Sequence, residues 1–141
     1  MSDSYSKEIL INASVSKVFD AISLDLEKWW GSQSQPIEST DTIFIVSWKI
    51  PWYEFRVIDY LKDQKMIWEC IDANQIIEGL TGVKREWVGT RIHWEIEEIT
   101  DFKTRLKFRH EGLVPDFICF DFCSKTWDHF LLDALRKYLE K

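Results

Sequence analysis

Thr90-Arg91-Ile92-His93-Trp94-Glu95-Ile96-Glu97-Glu98 and, five residues on, Thr104-Arg105-Leu106-Lys107-Phe108-Arg109-His110-Glu111 decide the fold. In each run apolar and charged side chains alternate, the period of a strand with one dry face and one wet face. Pairing Glu97 with Arg105 also sets Glu95 opposite Lys107, so unlike charges meet across the wet face. The same register sets Ile96 against Leu106, Trp94 against Phe108 and Ile92 against His110 on the dry face. Two independent patterns agree on one antiparallel hairpin, and it carries an imidazole inward.

Further strands lie on the N-terminal side. Tyr53, Phe55 and Val57 alternate with Glu54 and Arg56, and Met66, Trp68 and Cys70 form one face of the next run. Asp63-Gln64 supplies the turn between them. Thr42–Trp48 is apolar on both faces and its orientation stays open. Ile9 and Ile11 mark an opening strand that reaches Ala13. Ser14 is a plausible N-cap, and Val15, Val18, Phe19 and Ile22 follow on one helical face. Leu26, Trp29 and Trp30 continue on a second short helical piece, which Gly31 ends. Ser32–Thr40 reads as a surface loop, and Ala73–Glu86 is irregular, with a short strand expected to end near Trp87.

Beyond the hairpin, the spacing predicts a helix from near Asp116. Phe120, Cys123, Trp127, Phe130, Leu131, Ala134, Leu135 and Tyr138 fall in one stripe at 3.6 residues per turn. Phe122 falls off it, which points either to an irregular first turn or to a place at an opening. A stripe that long wants a sheet to lie on. The expectation is a single α+β domain over 1–141, in which a curved antiparallel sheet grips the last helix.

At 141 residues the chain can bury about two-thirds of its unfolded surface. Its net charge of −6 disfavours nucleic acid and anionic membranes alike. The N-terminal run Met1–Lys7 is polar and unlike a signal peptide. Three cysteines, Cys70, Cys119 and Cys123, form no disulfide framework, which points to a reducing cytoplasm. Eight tryptophans and nine phenylalanines are more aromatic bulk than an ordinary core requires. Such an interior is either packed solid or left partly open for a ligand.

Several segments together carry a family resemblance. They are Ile11-Asn12-Ala13-Ser14-Val15-Ser16-Lys17-Val18-Phe19-Asp20-Ala21-Ile22, Trp29-Trp30-Gly31, Lys65-Met66-Ile67-Trp68, the hairpin from Gly89 to Leu113, Trp127-Asp128-His129-Phe130-Leu131 and Leu135-Arg136-Lys137-Tyr138-Leu139. In this order they resemble the START-like superfamily (SRPBCC, birch-pollen-allergen-like), and within it the family of the activator of heat-shock protein 90 ATPase. The resemblance implies a helix-grip fold with a cavity between sheet and C-terminal helix. It also implies, through the family name, stimulation of a chaperone ATPase in the stress response. Two departures stand out: no glycines interrupt Trp48–Val57, and Thr126 stands where a glycine commonly precedes the tryptophan. Bulk in that quarter is expected to replace open volume.

The candidate cavity lining is Trp30, Tyr53, Phe55, Trp68, Trp94, Phe108, His110, Cys123 and Trp127. His110 either orients a polar ligand atom or is bonded to a backbone carbonyl at the strand end. The second reading is favoured, because buried polar groups are nearly always paired. Cys119 and Cys123 lack a second pair at zinc spacing and read as buried thiols rather than ligands. His93 and His129 fall on wet faces. No phosphate loop, nucleophile elbow or metalloprotease helix is present, and no catalytic residue, metal or cofactor is assigned. The leading expectation is a cytoplasmic binding module for a small hydrophobic or aromatic molecule, monomeric or homodimeric. The alternatives are a small hydrolase- or cyclase-like enzyme using His110 with Tyr53 or Cys123, and the chaperone stimulator.

Overall fold

The computed structural model describes residues 3–141; Met1 and Ser2 of the polar N-terminal run lie outside the described residues. Seven strands form one antiparallel sheet in the order β1-β7-β6-β5-β4-β3-β2. They are β1 (Tyr5–Ile11), β2 (Ser32–Gln33), β3 (Ile43–Ser47), β4 (Trp52–Leu61), β5 (Lys65–Asn74), β6 (Arg91–Thr100) and β7 (Lys103–Glu111). Between β1 and β2 lie helix α1 (Val15–Ser23) and a 3₁₀ turn, Leu26–Lys28. After β7 come α2 (Phe120–Asp128), a π-helical stretch (His129–Leu135) and α3 (Arg136–Leu139), continuous as one long C-terminal helix. The sheet curls around that helix: an α+β helix-grip fold.

The β6–β7 register is the one the charge and apolar patterns require. Glu97 faces Arg105, Trp94 faces Phe108 and Ile92 faces His110. Arg105 donates to Glu97 at 2.7 Å, while Ile92, Trp94, Leu106, Phe108 and His110 are all buried. The β4–β5 pairing shifts register twice, at Glu54/Phe55, where β5 holds the extra residue Ile71, and at Val57/Asp59, where β4 holds the extra residue Ile58. Such bulges bend a strand, and here they help close the sheet over the helix.

The two-faced strand β3 resolves with Phe44 and Val46 inward. α1 starts where expected, its Ser14 hydroxyl accepting from the Lys17 amide. Four local expectations need correction. The opening strand stops at Ile11, short of Ala13. Ser32–Thr40 is more than a loop, since it holds β2 and the fully buried Ile37. Ala73–Glu86 contains no strand beyond the end of β5 and proceeds through turns. The C-terminal helix begins at Phe120 rather than near Asp116, because Glu86 reaches over from the preceding loop. Its carboxylate accepts from the amides of Ile118 and Cys119 at 2.7 and 3.0 Å and satisfies donors the first turn leaves free.

The C-terminal helix buries Cys123, Trp127, Leu131 and Leu135, a strict spacing of four. In a pure α-helix each such step oversteps a full turn by about 40°, so the row would wander off the sheet. The wider π-helical winding of His129–Leu135 takes up that drift. Clamps hold the helix along its length. Tyr5 donates to Asp128 at 2.5 Å, Lys7 pairs with the same carboxylate, and the Asn12 amide donates to Glu140 at 2.7 Å.

Two glycines are fixed by space or backbone. Gly31 does not end its turn through a left-handed conformation, as a helix-capping glycine would. Instead a Cβ there would sit 2.8 Å from the Trp48 ring. Gly112 has a φ of +100°, and its Cβ would lie 2.8 Å from the Thr90 methyl. Both constraints act together at Gly112, so Gly112→Ala is expected to destabilise by more than about 1 kcal/mol. Urea denaturation reads the difference; an unchanged midpoint would contradict the conformation assigned to this turn.

Candidate functional site

One end of the groove between sheet and helix stays open. There a pocket of about 170 Å³ is lined by Trp30, Trp48, Pro51, Tyr53, Ile76, Ile77, Trp87, Phe122, Cys123, Thr126, Trp127 and Phe130. The β3–β4 turn brings Trp48, Pro51 and Tyr53, and the segment after β5 brings Ile76, Ile77 and Trp87. The first half of the C-terminal helix supplies the rest of one wall. Ile50, Ile76 and Phe122 are 67%, 53% and 51% exposed, and the last two form an apolar rim.

Of the candidates named from the sequence, Trp30, Tyr53, Cys123 and Trp127 stand on this wall. Phe55, Trp68, Trp94, Phe108 and His110 do not; each is buried behind it. The physical reason is ring packing. Trp30 stacks on Trp68 at 6.3 Å, Phe44 meets Trp68 edge-on at 4.9 Å, and Phe108 lies 4.5 Å from Trp127. Aromatic groups at these separations fill the middle of the groove. The indole nitrogens of Trp68 and Trp94 are buried there without an acceptor.

His110 is a structural hub. Trp127 Nε1 donates to His110 Nδ1 at 3.2 Å, so Nδ1 is the bare nitrogen. His110 Nε2 then carries the proton and donates to Thr90 Oγ1 at 2.8 Å, and Thr90 donates to the Trp87 carbonyl at 2.6 Å. The expected bond from the imidazole to a backbone carbonyl is not made: its partners are a threonine hydroxyl and an indole N–H, and only Thr90 reaches a carbonyl. Complete burial, assisted by the nearby His93, pushes the imidazole down to about 3. It is neutral, with both nitrogens engaged and behind the pocket wall. Of the other two histidines, His93 pairs with Glu111 at 2.7 Å and is only part-buried, while His129 is exposed.

A second polar cluster backs the pocket. Tyr53 donates to Gln75 Oε1 at 2.6 Å, and the Cys123 thiol approaches the same oxygen at 3.4 Å. Gln75 Nε2 donates to the Val83 carbonyl at 3.0 Å, which pins the irregular segment. Burial, reinforced by the three thiols around it, holds the Tyr53 hydroxyl well above the usual phenol range. The two neighbouring thiols shift each other in opposite directions: Cys119, with burial, holds Cys123 high, and Cys123 beside it holds Cys119 low. The Trp87 indole nitrogen is buried without a hydrogen-bond partner. All three cysteines are free. Among the described residues no group of three or more His, Cys, Asp or Glu is placed to hold a metal ion, and no helix is long and apolar enough to cross a membrane.

Sequence reasoning missed Trp48, Trp87 and Gln75. Trp48 ends a strand with no polar face, and Trp87 and Gln75 sit in a segment without periodicity, so no alternation pointed them inward.

No known family and no curated protein matches the chain by sequence. Solved structures do match in fold. The Aha1 dimer from Colwellia psychrerythraea superposes with a TM-score of 0.76 at 21% identity, over 96% of this chain and 94% of that one. DynU16, from the dynemicin biosynthetic locus, gives 0.76 at 15% identity, over 100% of this chain but 48% of its own. CalU16 from Micromonospora echinospora gives 0.66 at 12% identity, over 95% of this chain and 74% of that chain. A shared strand order, a gripped C-terminal helix and these superpositions establish that the chain has the START-like (SRPBCC), Aha1-like fold.

Proposed function

We propose that this protein binds a small hydrophobic molecule in the pocket between sheet and C-terminal helix, without turning it over. The observation that carries this reading is the pocket wall itself: seven of its twelve residues are aromatic, and none is charged. Small-molecule sites are mostly apolar concavities with few polar groups. Trp30, Tyr53, Cys123 and Trp127 are the proposed contacts from the original set, with Trp48 and Trp87 added. Phe55, Trp68, Trp94, Phe108 and His110 support the wall from behind.

Catalysis through His110 is disfavoured on geometry. A general base must reach the proton it takes, and this imidazole is buried with both nitrogens engaged. Tyr53 and Cys123 are held protonated by burial and hydrogen bonding. We place the protein in the cytoplasm, where three free thiols persist. A homodimer or a chaperone partner has its support in the fold shared with the Aha1 dimer.

Titrating neutral apolar compounds of one ring should change the tryptophan emission saturably and raise the melting temperature by mass action. Trp30, Trp48, Trp87 and Trp127 on one wall make the signal large. A library of such compounds that moves neither observable would sink the binding reading.

A further inference from the structure

We propose that Cys119 and Cys123 are a redox pair, a dithiol at the start of the C-terminal helix that hydroperoxides close to a disulfide. This is covalent chemistry of the chain itself, independent of whether the pocket takes up a ligand.

The two thiols are one helical turn apart. Cys119 is the N-cap residue of α2, and the Cys123 amide donates to its carbonyl at 2.7 Å. A turn closed in this way sets the two Cα atoms about 6 Å apart, inside the roughly 4.4–6.8 Å that a disulfide spans. Side chains on a helix lean toward its N-terminus, so Cys123 is aimed back at the turn that carries Cys119. Among the described residues the pair belongs to no group able to hold a metal ion.

The third cysteine is set apart from these two. The Cys70 thiol donates to the Asp72 carbonyl at 3.4 Å, and burial pushes it up to about 12. Cys119, by contrast, is held low by Cys123 beside it and by the Gln75 amide. The thiolate is the reactive form, so Cys119 attacks first. Its sulfur bonds to one peroxide oxygen, the O–O bond breaks, and the departing oxygen takes up a proton. The product at Cys119 is a sulfenic acid, which changes the very neighbour that holds Cys123 high. The Cys123 sulfur then attacks the sulfenic sulfur, the S–O bond breaks, and the Cys123 proton leaves with the hydroxyl as water. The two sulfurs together give up two electrons, and the hydroperoxide takes them.

Entry of the oxidant depends on how the helix start is held. Cys123 is on the pocket wall, while Cys119 is fully buried. Helix ends open more readily than helix centres, and Glu86 clamps this one by accepting from the Ile118 and Cys119 amides. The Glu86 charge also works against a thiolate at Cys119. One carboxylate therefore restrains both the opening and the reactivity of the pair.

The test exposes the folded, fully reduced protein to hydrogen peroxide and follows intact mass, thiol count and tryptic peptides. The expected product is a single chain two hydrogens lighter, with one of the three thiols left. Cys119 and Cys123 share the tryptic peptide His110–Lys125, which should resist alkylation until dithiothreitol is added; Cys70 should alkylate throughout. In Cys123→Ser, dimedone should trap the sulfenic acid on Cys119. Cys119→Ser should consume peroxide at least about tenfold more slowly than Cys123→Ser, because one unit of pKa is tenfold in thiolate. Glu86→Gln keeps an acceptor for the helix start but removes the charge, and should close the pair faster; no gain in rate would contradict the role given to Cys119. Three thiols surviving in the folded protein, while urea-unfolded protein oxidises under the same peroxide, would overturn the pair. So would a disulfide that includes Cys70, or Cys119 passing on to a sulfinic acid with Cys123 still reduced.

Discussion

Trp127→Ala is expected to destabilise the protein by about 3–5 kcal/mol, the range for truncating a large buried aromatic. The indole is 2% exposed and lies against Trp30, Trp87, Trp94 and Phe108. Its removal opens a cavity between helix and sheet, and it also leaves His110 Nδ1 without its donor. Both effects point the same way. Denaturant titration at neutral pH measures the loss; a value under about 1 kcal/mol would mean that the helix does not seat this ring against the sheet.

Stability should also fall with acid through His110. Burial lowers its folded-state value from the ordinary 6.5 to about 3. The unfolded chain therefore takes up a proton that the native state refuses. The stabilisation is fully present above pH 6.5 and is lost as pH falls toward about 3, at about 1.4 kcal/mol per unit. From pH 6.5 to about pH 5, the native protein should lose about 2 kcal/mol more than His110→Gln. Glutamine can accept from Trp127 and donate to Thr90, so that variant should fold. His110→Leu strands both partners and should lose about 1–3 kcal/mol for each buried group left unpaired. Parallel pH slopes in the native protein and His110→Gln would show that the imidazole is already charged in the fold.

The hairpin and the helix were readable because their signals are periodic and mutually constraining. Charge pairing and apolar pairing chose the same β6–β7 register, and each strand's inner face followed from its pleat. Depth along the groove was not readable. Tyr53 and Phe55 are on one face of one strand, yet Tyr53 lines the pocket and Phe55 lies behind it. Alternation gives the side of the sheet; curvature and the position of the helix decide where that side is open. Trp87 was out of reach for another reason. Its place depends on Gln75 and Glu86, which tie an aperiodic segment to β4 and to the start of the C-terminal helix. The two departures from the family resemblance fall at this quarter, with Trp48 and Thr126 on the wall, but the pocket is open there, against the expectation that bulk would replace open volume.

The close stacking of the indoles makes them a coupled set of chromophores. Trp29 lies 6.1 Å from Trp30, Trp30 lies 6.3 Å from Trp68 and 5.1 Å from Trp127, and Trp127 lies 5.9 Å from Trp87. At such separations excitation passes between rings faster than it is emitted, so a photon absorbed by one is shared among its neighbours. The emitted light should be strongly depolarised even in a rigid protein. A guest that quenches Trp48 or Trp87 drains the excited state of rings it never touches, and a single bound molecule can darken the whole interior.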